Sequence, residues 1–247
     1  MTTPSATTGE RLETVIDVPG GWCLAVLDRP PGPCRAAIVC AHGLTGDRSG
    51  PADLLARWAG DLAGHGFATV RFDLRGSGES SGDFADTTFA GMVSDFCAAA
   101  AWAIEVVGPR PVIAAGISIG GVPAALASGM VNSAATLLIS SDLIEGIRFD
   151  TDTITPIRGG EFHLPAAFFR EREGLYPRRA LSERGKPWGL IFGGRDSKLL
   201  VAAGELRQLG AWVAEVSDTD HLFESVPARA ALMRETLRFL DHALADG

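Results

Sequence analysis

Apolar and polar positions fall into two regimes along this chain. Short continuous apolar runs occur at Ala36–Ala41 and 112–115, and 68–72, 135–140 and 188–192 also read as strands. Runs of that length without polar alternation are the mark of strands covered on both faces. Between them, apolar residues recur at helical spacing: Leu54, Leu55, Trp58, Ala59 and Leu62, closed by Gly64-His65-Gly66, then Phe89, Met92, Val93, Phe96, Ala100, Ala103, Ile104 and Val107. A helix is expected just after Gly120, another over 198–209, a strand over 211–216 and a last helix over 227–245. At the start, Arg11–Val18 and 22–28 read as two strands joined at Pro19-Gly20-Gly21, and Pro30-Pro31-Gly32-Pro33 makes a second break.

Strands alternating with helices predict an α/β domain, with a mostly parallel sheet and helices on both faces. The rhythm breaks over 142–186, which is mixed in polarity and shows one helix-like patch, 165–172. That stretch holds Phe149, Phe162, Phe168, Phe169 and the chain's one tyrosine, Tyr176. The expected organisation is a loose Thr/Ser/Pro-rich tail over 1–10, a core over 11–141 and 187–247, and an insertion over 142–186. The insertion's aromatics either anchor it to the core or, for Phe149, Phe168 and Tyr176 above all, line a substrate pocket whose floor Ile117 and Ile119 help to dry.

In open parallel sheets the ligand site lies beyond the carboxyl ends of the strands. His42-Gly43-Leu44, Asp73 to Glu79, Ser118, Asp142, Asp196 and His221 each follow an expected strand end, so one rim collects the chemistry. The most specific motif is Gly116-Ile117-Ser118-Ile119-Gly120, a G-x-S-x-G pattern between a strand and a helix. A serine raised on a sharp, strained turn needs neighbours without side chains two positions away, because strand and helix approach closely there. The plainer alternative is a glycine-rich turn with an incidental serine.

Composition narrows the setting. A chain of 247 residues, 46% hydrophobic and 21% charged, suits a single globular domain with a real core. The net charge of −8 argues against non-specific binding to nucleic acid or an anionic membrane. The four cysteines show no C-x-x-C spacing and read as buried free thiols. Residues 1–10 lack the basic start and apolar block of a signal peptide. No apolar run reaches the roughly eighteen residues of a membrane span, with Glu105 interrupting the longest helix. A cytoplasmic protein is expected, of open oligomeric state, with a homodimer the one assembly considered.

A serine hydroxyl becomes nucleophilic when a neighbouring base takes its proton and a third group orients that base. Of the five histidines, His221 follows the last strand and completes a Ser…Asp…His order. His65 sits where it would cap a helix, His163 lies in the insertion, His242 rides the last helix and His42 belongs to an early loop. Two acids compete. Asp196 ends the turn Gly193-Gly194-Arg195-Asp196 and is favoured; Asp142, after Ser140-Ser141, could reach the base or simply cap a helix. Asp218 and Asp220 are expected to hydrogen-bond within their own loop. The oxyanion of acyl transfer needs two backbone donors, expected from Leu44 and Ile119. The glycines around Ser77 fail the dinucleotide fingerprint by one position, no phosphate-loop motif occurs, and the histidines lack metal-ligand spacing, so no cofactor and no metal are expected. Asp73-Leu74-Arg75-Gly76 reads as a structural rim turn in which Arg75 ties loops together.

With these residues in view, the chain resembles the α/β-hydrolases over nearly its whole length. It is most similar to single-domain bacterial enzymes of the cinnamoyl/feruloyl esterase and serine-aminopeptidase-like group. The likeness rests on His42-Gly43-Leu44-Thr45-Gly46, Arg71-Phe72-Asp73 with Gly76-Ser77-Gly78-Glu79-Ser80, the Gly116–Gly121 elbow, Gly193-Gly194-Arg195-Asp196 and Asp220-His221. It implies the α/β-hydrolase fold, Ser118 as nucleophile, His221 as base, Asp196 as acid and 142–186 as a small cap. The implied partner is a small-molecule ester or thioester, cleaved through an acyl-enzyme. Related proteins act as thioesterases, acyltransferases or cyclases, and a non-hydrolytic binding protein on the same scaffold is the remaining alternative. Isoleucines flank Ser118 where the group often has His and a polar residue such as Gln, and Leu199-Leu200 replaces a common Val-Pro. These departures point to a drier pocket and away from a feruloyl-type substrate.

Overall fold

The apolar runs become strands of one sheet, and the helical spacings cover it. The protein, here a computed structural model, is described over residues 9–141, 143, 145 and 154–245. In chain order the elements are β1 (Arg11–Val18), β2 (Gly21–Asp28), β3 (Ala36–Ala41), α1 (Leu54–Gly64), β4 (Phe67–Phe72), α2 (Phe89–Val107), β5 (Val112–Ile117), α3 (Gly121–Met130) and β6 (Ala135–Ile139). Then come β7 (Thr155–Ile157), β8 (Phe162–Leu164), α4 (Ala166–Glu173), α5 (Pro177–Ser182), β9 (Trp188–Gly193), α6 (Ser197–Gln208), β10 (Trp212–Val216) and α7 (Val226–Ala243).

The eight-stranded sheet has the order β1-β2-β4-β3-β5-β6-β9-β10. The β1–β2 hairpin pairs antiparallel with β4, and every pair from β4 to β10 is parallel. Strand β3 lies between β4 and β5, with Val39 opposite both Val70 and Ala114. The chain therefore leaves β3 to one side through α1 and returns to its other side through α2, which makes this the switch point where such sheets bind ligands. The six parallel strands end in step, so residues 42, 73, 118, 140, 194–196 and 217–221 emerge on one rim.

The two faces are sorted by the period of two along each strand. On β3, Ile38 and Cys40 pack with α1 and α7, while Val39 and Ala41 pack with the layer of α2 and α3. Burial pushes the thiols of Cys23 and Cys40 up to about 12, and all four cysteines are free. One expectation is corrected. Helix α2 is long and apolar enough, by length and composition, to cross a membrane. Its two acids, Asp95 and Glu105, leave it within that range. In this fold α2 lies on the sheet, burying Met92, Phe96 and Ala100, and its buried Asp95 accepts a 2.7 Å hydrogen bond from Arg75 Nε. Arg75 also reaches the carbonyls of Pro19 and Gly91, so it ties loops as the sequence suggested.

The insertion is more structured than its one helical patch implied. It holds the two-stranded hairpin β7–β8 besides α4 and α5. Three-residue strands are too short to show a period, and α5 is six residues opening on Pro177. Aromatic rings fasten the segment down. Phe168 is buried and stacks on Phe89 of α2 at 4.4 Å between centroids, and Phe169 meets it edge-on at 5.5 Å. Phe162 meets Phe84 edge-on at 5.0 Å, and Glu171 accepts the N–H of Ala90 at the start of α2 at 3.1 Å. Deleting the Phe168 ring by Phe168→Ala is expected to cost about 3–5 kcal/mol of stability, the usual range for a buried phenylalanine. The shift in denaturant midpoint measures it, and Phe162→Ala, whose ring is half-exposed, should shift it less.

Candidate active site

Strand β5 delivers Ser118 onto the rim with φ of 53°, a left-handed conformation that an L-residue adopts at a cost. The glycines two positions away make the turn possible. A Cβ at Gly116 would sit 2.1 Å from the carbonyl oxygen of Gly120, and one at Gly120 would sit 2.3 Å from that of His42. Neither contact can be relieved by moving a side chain, because both obstacles are backbone. The incidental-serine reading has no need of this crowding. Ser118 is half-buried and lines a cleft of about 1000 Å³ together with His221, Asp196, Leu44 and Ile119.

His221 follows β10, and Asp196 follows β9. His221 Nδ1 lies 2.5 Å from Asp196 Oδ2, so the ring is held with Nδ1–H donating and Nε2 turned to other uses. The carboxylate has a second task that the sequence did not disclose. Its Oδ1 caps α6, accepting the N–H groups of Lys198 at 3.2 Å and Leu199 at 3.3 Å. No hydrogen bond joins Ser118 to His221 among the described residues; such bonds are often long before substrate arrives. Asp142 and Phe149 lie outside the described residues.

The loop after β3 is held by buried polar groups. His42 accepts the N–H of Leu74 on Nε2 at 3.0 Å, so its proton sits on Nδ1, 2.8 Å from the carbonyl of Gly43. Burial pushes the His42 pKa down and keeps the ring neutral. Further along, the fully buried Asp73 accepts the N–H of Arg48, its guanidinium at 2.6 Å, and the N–H of Glu79. Leu44, in between, has no acceptor for its N–H among the described residues. Ile119 is second in the 3₁₀ turn Ser118–Gly120, a position whose N–H has no partner within the turn. Two unspent donors thus flank Ser118.

The sequence assigns Ser140 no role beyond the end of a strand, before Asp142. It is buried, takes φ of 47°, and its hydroxyl donates to the carbonyl of His221 at 2.8 Å. Its signal in the sequence is only that it lies at a strand end on the rim that carries Ser118. Asp220 accepts the N–H groups of Leu222 and Glu224, as expected of a loop residue. His65 caps the end of α1, and His163 and His242 lie on β8 and α7, none of them lining the cleft. Two pocket expectations are corrected. Phe168 is consumed by core stacking, and Tyr176 stands exposed at the start of α5; neither lines the cleft. The insertion instead contributes Ile157 and Arg158, while Ile117 and Ile119 do line it. Among the described residues, no group of three or more His, Cys, Asp or Glu is placed to hold a metal.

A model of the alpha/beta hydrolase family matches residues 38–245. The chain belongs to that family. No curated protein matches the sequence. Among solved structures it is similar to Est1E from Butyrivibrio proteoclasticus with bound ferulic acid, at 21% identity and a TM-score of 0.81, covering 94% of this chain and 99% of that one. Dienelactone hydrolase from Anabaena variabilis is also similar, at 18% identity and a TM-score of 0.70, covering 95% and 98%. So is XC6422 from Xanthomonas campestris, titled a serine hydrolase without a lid, at 19% identity and 0.66, covering 96% and 94%. At such identities these likenesses show the α/β-hydrolase fold.

The neutral His42 gives this hydrolase fold a testable pH response. With its folded pKa depressed below the ordinary value near 6.5, His42 contributes stability fully above that pH and loses it as pH falls towards the folded value. Unfolding free energies measured in denaturant are expected to fall from pH 7 to pH 5, and to fall less steeply in His42→Asn. An equal slope in the two proteins would contradict the neutral, buried imidazole.

Proposed function

We propose that the protein is a serine hydrolase cleaving a carboxylic ester or thioester through an acyl-enzyme on Ser118. The reading is carried by one observation: a histidine held by a carboxylate at 2.5 Å shares a cleft with a serine strained onto an elbow. Ester-type chemistry is further supported by the fold-level likeness to a protein with bound ferulic acid and to a dienelactone hydrolase.

The steps follow from the groups in place. His221 Nε2 takes the Ser118 proton as Oγ attacks the acyl carbon, and the Asp196 carboxylate stabilises the imidazolium that forms. The carbonyl electrons move onto its oxygen, which accepts the N–H groups of Leu44 and Ile119. The tetrahedral species collapses, the carbon–oxygen or carbon–sulfur bond breaks, and His221 protonates the leaving group. Water, deprotonated by His221, then attacks the acyl-enzyme and frees the acid and Ser118. Leu44, Ile117, Ile119 and Leu199 give the cleft an apolar wall, which suits an acyl chain and strengthens each hydrogen bond made there.

Kinetics on p-nitrophenyl esters test the assignment. Ser118→Ala is expected to lower kcat by about four orders of magnitude or more, with stability nearly unchanged. Asp196→Asn should cost on the order of 10⁴ in rate, because it removes the carboxylate from His221. Since Asn caps helices as well as Asp does, Asp196→Asn should keep its melting temperature, whereas Asp196→Ala should lose about 1 kcal/mol as well. Asp142→Asn should cost far less rate than Asp196→Asn; the reverse order would move the acid to residue 142.

A further inference from the structure

Most described arginines in this acidic protein are tied to the fold. Arg11 and Arg71 bind Asp28, Arg48 binds Asp73 and Glu79, Arg75 binds Asp95, Arg35 binds Asp241 and Arg178 binds Glu205. The cleft is lined by Arg158, Arg195 and Lys198, and none of the three has a carboxylate partner among the described residues. Lys198 is one of only two lysines in a chain whose net charge is −8.

The carboxylates nearby are already engaged. Asp196 is shared between His221 and the start of α6, Asp220 holds Leu222 and Glu224, and Asp47 holds the N–H groups of Ser49 and Gly50. Each of these acids accepts from the protein, Asp196 through both oxygens and Asp47 and Asp220 through Oδ1, and none of them pairs with the three cations. An arginine offers five N–H donors and a lysine three, and accept nothing.

Placement gives these donors a common purpose. Arg195, on the loop after β9, and Lys198, in the first turn of α6, flank Asp196, and the Arg195 backbone is fixed by its N–H to the carbonyl of Thr219 at 2.9 Å. Arg158 lies in the insertion, where its Nε donates to Thr45 Oγ1 at 3.2 Å, next to the loop that carries Leu44. Thr45 in turn donates a hydrogen bond from its hydroxyl to the carbonyl of Leu44 at 2.6 Å. Cations therefore border the same cleft from the start of α6 with the loop before it and from the insertion beside Thr45, with an apolar wall near Ser118.

We propose that the substrate carries an anionic group, a carboxylate or a phosphate, which Arg195 and Lys198 receive at the cleft while its ester or thioester lies at Ser118. The inference rests on the serine-hydrolase reading and names the substrate class of that site. The charge could belong to the acyl part or to the leaving group, and two matched pairs of probes separate these. Mono-p-nitrophenyl adipate against p-nitrophenyl hexanoate places a carboxylate on the acyl chain. Butyryl-coenzyme A against butyryl-N-acetylcysteamine places phosphates on the leaving group.

The full chain is assayed at low and high salt, beside Arg195→Gln/Lys198→Gln, Lys186→Gln and Ser118→Ala. In one pair, kcat/KM for the anionic member should exceed that of the neutral member by about tenfold, equivalent to about 1.4 kcal/mol. That ratio should shrink in high salt, because exposed charges are screened. It should fall by about tenfold in Arg195→Gln/Lys198→Gln and stay unchanged in Lys186→Gln, whose lysine does not line the cleft. Ser118-dependent turnover with no anionic preference in either pair, or a preference indifferent to the double substitution, overturns the inference and leaves the hydrolase reading standing. Absence of Ser118-dependent turnover on all four probes overturns that reading, and the inference falls with it.

Discussion

The structure turns on one steric constraint, the approach of β5 to the turn that follows it. No Cβ fits at Gly116 against the carbonyl of Gly120, or at Gly120 against the backbone of β3's end. That contact forces Ser118 into the left-handed region and out over the rim, and it joins the serine's position to that of His42 in one rigid unit. A strained conformation of this kind persists only where its surroundings over-determine it. Here the surroundings are the fully buried strands β3, β5 and β6, whose small and branched residues leave no room for an alternative path.

Around that unit, single buried polar groups fix loops that would otherwise move independently. His42 joins the β3 loop to the β4 loop, Asp73 joins Arg48 to Glu79, and Ser140 joins the β6 end to the His221 backbone. Each is a hydrogen bond made away from water, where leaving either partner unmet costs about 1–3 kcal/mol. Asp196 combines both kinds of duty. One oxygen holds the helix that begins at Ser197 and the other holds His221, so helix formation itself places the acid. Positioning by a rigid element is what triad chemistry requires, since small displacements of reacting groups cost large factors in rate.

Much of this was legible in the sequence because the physics is local. Continuous apolar runs disclosed buried parallel strands, and the order of polar motifs at their ends placed Ser118, Asp196 and His221 on one side of the sheet. What escaped the reading depends on three-dimensional partners. Nothing near Ser140 in sequence says that it meets His221, eighty-one residues away. The aromatics of the insertion looked alike in sequence, yet Phe168 is spent on Phe89 and Tyr176 points to solvent, while the plainer Ile157 and Arg158 reach the cleft. Hairpin β7–β8 was invisible because three residues carry no period. Helix α2 showed the opposite failure, since its composition fits a membrane as well as the apolar face of a sheet.

The central claim is that Ser118 is the nucleophile that the elbow and the His221–Asp196 pair exist to serve. Reaction of the intact protein with a fluorophosphonate, followed by peptide mapping in a mass spectrometer, addresses it directly. The account predicts one covalent adduct per chain, on Ser118, formed far more slowly when Asp196 is Asn. An adduct on another serine, or none on a folded protein that still turns over ester substrates, would contradict it.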